Sequence, residues 1–164
     1  VLQYLRKSEI TINSYLPKKT REEIVLLSST NPSELSVDEL LYSATLEDDW
    51  PDKVDIYNKV IELHNDWRAY NNIACIYLSI FQHFGDAFHI NFDVSKLAVD
   101  VFFNLNKSIE NGGANEPDVL TNLGIAALWF DRDIENAEEL FTKANTSNYN
   151  KATLSLIFIY CNIT

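Results

Sequence analysis

The sequence predicts an all-α fold assembled from repeated helix-turn-helix units, and two observations carry that expectation. The first is an internal echo. Tyr70, Ile73, Ala74 and Tyr77 return fifty residues later as Leu120, Leu123, Gly124 and Ala127, at steps of three, one and three. A large, an apolar, a small and a medium residue at that spacing draw one stripe along a helix packed closely on a neighbour. The second is that each copy is followed by another stripe, at steps of four and three: Ala98, Phe102 and Leu105, then Ala137, Phe141 and Ala144.

Laid along the chain, the same template finds two further units. Val37, Leu40, Leu41 and Ala44 fit the first helix and Lys53, Tyr57 and Val60 the second, with Lys53 a poor match where a small residue is expected. Thr153, Leu156, Ile157 and Tyr160 start a fourth unit that the chain does not finish. The first-helix anchors at 37, 70, 120 and 153 are 33, 50 and 33 residues apart. From anchor to second-helix aromatic the second unit spans 32 residues, against 20 and 21 in its neighbours, which places an insertion near 81–94. The expected organisation is a leading segment 1–33 and units 34–66, 67–116, 117–149 and 150–164.

Local signals place each element in order. Tyr4, Ile10 and Ile12 with Thr11 and Asn13 between them suggest a short extended segment over 2–13. Thr20 with Glu23, and Ser36 with Glu39, are capping boxes that open helices near 20–29 and 36–46. Pro51 and Pro117 suit the first helical turn, where a missing amide is harmless, and open helices near 51–63 and 117–129. Periodicity adds helices near 67–81, 94–110, 134–145 and 149–162. Gly112 and Gly113 end one of these helices, since glycine readily takes the left-handed conformation that closes a helix.

The units resemble tetratricopeptide repeats, best over 117–149 and well over 67–105. The phrases from Tyr4 to Ile12, Thr20 to Ile24, Asn31 to Leu35, Glu39 to Leu46 and Asp66 to Asn72 are similar to the repeat region of large cell-envelope proteins from Bacteroidetes. Some of those proteins also carry an outer-membrane protein A type domain. The resemblance implies a right-handed α-solenoid whose first helices line a concave groove for a peptide or partner domain. It also implies a cell-envelope location, periplasmic or outer-membrane associated, with a cytoplasmic one as the alternative. Carried over by position, the groove would be lined by Tyr42 in the first unit, by Arg68, Asn71, Asn72, Cys75 and Ser79 in the second, and by Asp118, Thr121, Asn122, Ile125 and Trp129 in the third. Asn72 and Asn122 stand where such repeats hydrogen-bond a ligand backbone. Asp38 and Asp118 stand where a clamp for an acidic chain terminus needs cations, which argues against that ligand.

Composition agrees with a soluble module. With 46% hydrophobic residues, three Trp, eight Tyr and nine Phe in 164 residues, the chain can bury a substantial core. A net charge of −11 with thirteen scattered Lys and Arg argues against nucleic acid and favours a basic or neutral partner. No apolar run approaches the roughly 18 residues of a membrane span. The chain starts at Val1 and contains no Met, which suggests a fragment or a processed protein.

Enzymatic motifs are missing: there is no glycine-rich phosphate loop, no Gly-x-Ser-x-Gly elbow and no His-Glu-x-x-His, so neither catalysis nor a cofactor is expected. Cys75 and Cys161 fall on first helices two units apart, too far for a disulfide, and read as buried free thiols. His83 and His89 with Asp86 and Asp93 match no zinc spacing. Glu47, Asp48, Asp49 and Asp52 flank a helix start, where negative charge suits the exposed amides better than it builds a calcium site. Phe84, Phe88 and Phe92 in the insertion form a second candidate surface, packed on the array or offered to a partner. The functional expectation is therefore a non-enzymatic protein-protein interaction module, with a structural spacer whose groove is filled by the chain itself as the alternative.

Overall fold

A computed structural model describes residues 19–84 and 93–145. The extended segment expected at 2–13, most of the insertion and the helix expected at 149–162 lie outside the described residues.

The described residues form seven α-helices and no strand: α1 Arg21–Thr30, α2 Val37–Thr45, α3 Trp50–His64, α4 Trp67–Phe84, α5 Val94–Ser108, α6 Pro117–Ala126 and α7 Ile134–Asn145. Both capping boxes close as the sequence predicts. The Glu23 amide donates to Thr20 Oγ1 at 3.2 Å while the Thr20 amide donates to Glu23 Oε2 at 2.7 Å, and Ser36 and Glu39 repeat the exchange. Pro51 and Pro117 sit in the first turns of α3 and α6. Asp49 holds the N-cap position of α3 without a side-chain bond to its amides.

The other ends have equally local causes. Asn65 takes the left-handed conformation at φ 51°, stopping α3 two residues before α4 begins. Asn is among the few side chains that tolerate this region. Beyond α5 a π-helical turn, Ile109–Gly113, contains Gly112 at φ 114°, the position where a β-carbon would be strained. A second π-helical turn, Ala127–Asp131, prolongs α6 to a left-handed Arg132 at φ 58°. α4 runs three residues past its expected end because Phe81 continues its apolar face, packing on Trp129 and Phe130.

Each helix packs on the next in sequence, and α4 also packs on α6. The buried side chains form three successive clusters. Ile24, Leu35, Leu40, Ala44, Ile56, Tyr57, Val60, Ala69 and Ile73 join α1 to α4. Ala74, Leu78, Val101, Leu105 and Ala126 join α4, α5 and α6. Ala127, Ala137 and Phe141 close the end beside α7. The second-helix stripe of the third unit is buried where the sequence placed it, at Ala137, Phe141 and Ala144. In the second unit Leu105 is buried where the sequence placed it, but Leu97 and Val101 are buried in place of Ala98 and Phe102, and Phe102 packs at the rim, 6.2 Å from Phe130 between ring centres.

Long-range polar bonds pin the helices together. Ser108 Oγ, fully buried, donates to the Trp67 carbonyl at 3.0 Å, and Lys59 Nζ donates to the Ser28 carbonyl at 2.8 Å. Asn65 binds the side chains of both Tyr70 and Asn111. Among the described residues no helix is long and apolar enough to cross a membrane.

Candidate functional site

Asn72, Cys75 and Ser79 follow one another at steps of three and four on α4, so one helical face carries all three. They line a cleft of about 690 Å³ together with Ile76, Ile80 and His83 of the same helix, Ala44 and Thr45 of α2, and Trp50, Lys53 and Tyr57 of α3. Trp50 is half exposed at the rim. Tyr57 forms part of the floor, where burial raises its phenol above the ordinary value and a hydrogen bond from Asn72 acts in the opposite sense. His83 Nδ1 lies 2.7 Å from the Ser79 carbonyl. Cys75 is a half-buried free thiol on the cleft wall.

The remaining expected groove residues are placed elsewhere. Tyr42 is 45% exposed and lines a smaller hollow with Lys19, Ser36, Asp38 and Glu39. Arg68 is committed at the start of α4: its Nε bonds Asp66 Oδ1 at 2.9 Å, its Nη2 bonds Asp66 Oδ2 at 3.0 Å and its Nη1 bonds Asp38 Oδ1 at 2.7 Å. Asp66 also accepts from the Arg68 amide, and these bonds hold its carboxyl below the usual value. Asp118 is exposed in the first turn of α6. Ile125 packs between the second and third clusters, and Trp129 lies 5.6 Å from Phe81 between ring centres.

Three residues do not face solvent as a groove lining would. Asn71, Thr121 and Asn122 are 5%, 0% and 2% exposed. The Asn122 amide donates to Asn71 Oδ1 at 3.0 Å, tying α6 to α4 across fifty-one positions of chain. The Thr121 hydroxyl has no hydrogen-bond partner among the described residues. The physical reason is that α4 and α6 pack side by side, so polar residues on their facing sides are sealed between them. Asn72 and Asn122 are equivalent in the repeat but not in their surroundings: the first opens on the cleft and the second is inside.

The sequence reading missed most of the cleft: Ala44 and Thr45 on α2, Trp50, Lys53 and Tyr57 on α3, and Ile76, Ile80 and His83 on α4 itself. One signal for it was present. Lys53 breaks the small-residue pattern of its stripe, and a long cation at a position meant for close packing marks a place where the packing opens.

The other candidates resolve locally. Asp93 caps α5, accepting from the Lys96 amide at 3.0 Å. Glu47 and Asp52 border a hollow that also contains Lys59. Lys19, in the densest basic spot of the sequence, bonds both Glu39 oxygens, at 3.2 and 3.1 Å. Among the described residues no three His, Cys, Asp or Glu side chains gather closely enough to hold a metal ion. Phe88, Phe92, His89, Asp86 and Cys161 lie outside the described residues, as does the side chain of Phe84. No family model, curated protein or solved structure matches the chain.

Proposed function

We propose that the chain is a tetratricopeptide-like α-solenoid that works as a non-enzymatic docking module, taking a peptide or partner domain in the cleft of α2, α3 and α4. The observation that carries this reading is the convergence of Asn72, Cys75 and Ser79 with a half-exposed Trp50 around one open volume of about 690 Å³. Aromatic side chains at a rim over apolar walls are the usual anchors of protein interfaces. The solenoid is supported by the succession of three clusters along the chain and by the packing of α4 on both α5 and α6, since repeat arrays bury their cores through nearest neighbours. The cell-envelope placement rests on the resemblance of the linking phrases alone.

A spacer reading has one observation in its favour. At the third unit the expected groove residues Thr121 and Asn122 are buried and Trp129 is covered by Phe81, so that end is filled from within. The proposed module therefore docks partners at the first and second units and is structural at the third.

Capture from an envelope extract separates the two. Ser79→Arg obstructs the cleft from an exposed position and should abolish recovery of partners while leaving the melting temperature unchanged. Equal recovery by the wild type and this variant would mean that the cleft is not the docking surface.

A further inference from the structure

The charge on the cleft runs against the charge on the chain. In a protein of net charge −11 with 24 Asp and Glu, no carboxylate among the described residues lines this cleft, whereas the Lys53 ammonium and the His83 imidazole both do. The other hollows described each carry more carboxylates than cations: Asp93 and Asp100 with Lys96 border one, Glu47, Asp52 and Asp55 with Lys59 another, Asp38 and Glu39 with Lys19 a third. The segregation is visible on α3 alone, whose Asp52 and Asp55 turn to the hollow shared with Lys59 while Lys53 turns to the cleft. Lys53 forms no ion pair among the described residues, in contrast to Lys19, Arg68, Lys107 and Lys143.

From this we infer that the cleft receives an acidic segment of a protein partner, with an apolar side chain against Trp50, Ile76 and Ile80 and a neighbouring Asp or Glu carboxylate directed at Lys53 and His83. The inference rests on the docking reading above and narrows it. Overall charge would favour a basic or neutral partner, but screening over about 8 Å at physiological salt makes the charges that line a site outweigh those on distant faces. Asn72 and Ser79 supply hydrogen-bonding groups beside the same walls for the backbone of the segment. The Lys53 ammonium, on a flexible stem at the side of the cleft, can follow a carboxylate without a fixed geometry.

Three short fluorescein-labelled peptides test this, alternating Leu with Glu, with Gln or with Lys, titrated onto the whole chain by fluorescence anisotropy. The Glu peptide should bind at least about tenfold more tightly than the Gln peptide, a difference that salt reduces. Lys53→Glu should remove that preference or reverse it towards the Lys peptide, and circular dichroism of the variant reports whether the fold is kept. His83→Gln, at an exposed position, provides an independent variant with a smaller loss of the same preference. Equal binding of the Glu and Gln peptides, or tighter binding of the Lys peptide to the wild type, would overturn the acidic partner while leaving a docking cleft in place. Failure of all three to bind would overturn both readings.

Discussion

Phe141 occupies the space that a side chain at position 124 would need: a β-carbon on Gly124 would lie 2.5 Å from Cε1 of the Phe141 ring and 2.8 Å from its Cδ1. Phe141 is itself fully buried, between α6 and α7, and cannot swing into solvent without opening the third cluster. Gly124→Ala should therefore destabilise the protein by about 1–3 kcal/mol through overpacking, and Gly124→Leu by more. Urea denaturation measures it. Combining Gly124→Ala with Phe141→Leu should restore part of the loss, and strict additivity of the two would show that the residues do not share this space.

Asn71 and Asn122 make a second testable pair. Because both are buried and bonded to each other, Asn122→Ala should lower stability by about 1–3 kcal/mol, the penalty for leaving a buried amide group without its partner. Asn72→Ala should change stability far less, since its side chain opens on the cleft. If the two substitutions shifted the melting temperature equally, the distinction between them would fail.

Acid should weaken the start of α4. The Asp66 carboxyl is held below its ordinary value of 3.8, chiefly by hydrogen bonds from the Arg68 side chain. A carboxyl whose folded value is depressed contributes stability above its unfolded value and loses it as pH falls through the folded one. Asp66→Asn should thus be less stable than the wild type near neutrality, with the gap closing as pH drops below 3.8. A gap that stayed constant from neutral to strongly acid pH would remove Arg68 as its cause.

Phe81 tests how structural the edge of the insertion is. Its ring meets Phe130 edge-on at 4.8 Å and Trp129 at 5.6 Å between centres. Phe81→Ala should cost several kcal/mol at most, of which about 0.5–1.5 kcal/mol belongs to each ring pair, and should red-shift the fluorescence of Trp129 as water reaches it. A normal melting temperature with an unshifted spectrum would return this stretch to a purely external role.

How far the fold could be read in advance depended on how local its causes were. The capping pairs at Thr20 and Ser36 and the prolines at 51 and 117 act within one turn, and the helix starts they mark agree with the structure to within a residue. Two of the three positions of the α5 stripe were misplaced by one residue, because Ala98 and Phe102 lead to Leu105 at helical steps just as Leu97 and Val101 do. Packing against Ala74 and Leu78 decides between them, and no spacing rule contains that contact. The candidate site was legible on α4, where Asn72, Cys75 and Ser79 share a face. It was illegible wherever it depended on a second helix, as at Trp50 and Tyr57, or on whether a neighbour covers a position, as at Thr121 and Asn122.

The three buried clusters have no member in common, and two half-buried side chains touch more than one of them: Tyr77 bears on the first and second, Ile125 on the second and third. A strain introduced at one end of the molecule has few side chains by which to reach the other. An occupant wedged beside Ile76 would press on the neighbouring Tyr77, and through the packing of α4 on α6 it would reach Ile125 and α7 in turn. Among the described residues the helix array is thereby divided into apolar compartments, with Tyr77 and Ile125 as the apolar side chains shared between them and the Asn71–Asn122 bond as a polar tie from α4 to α6.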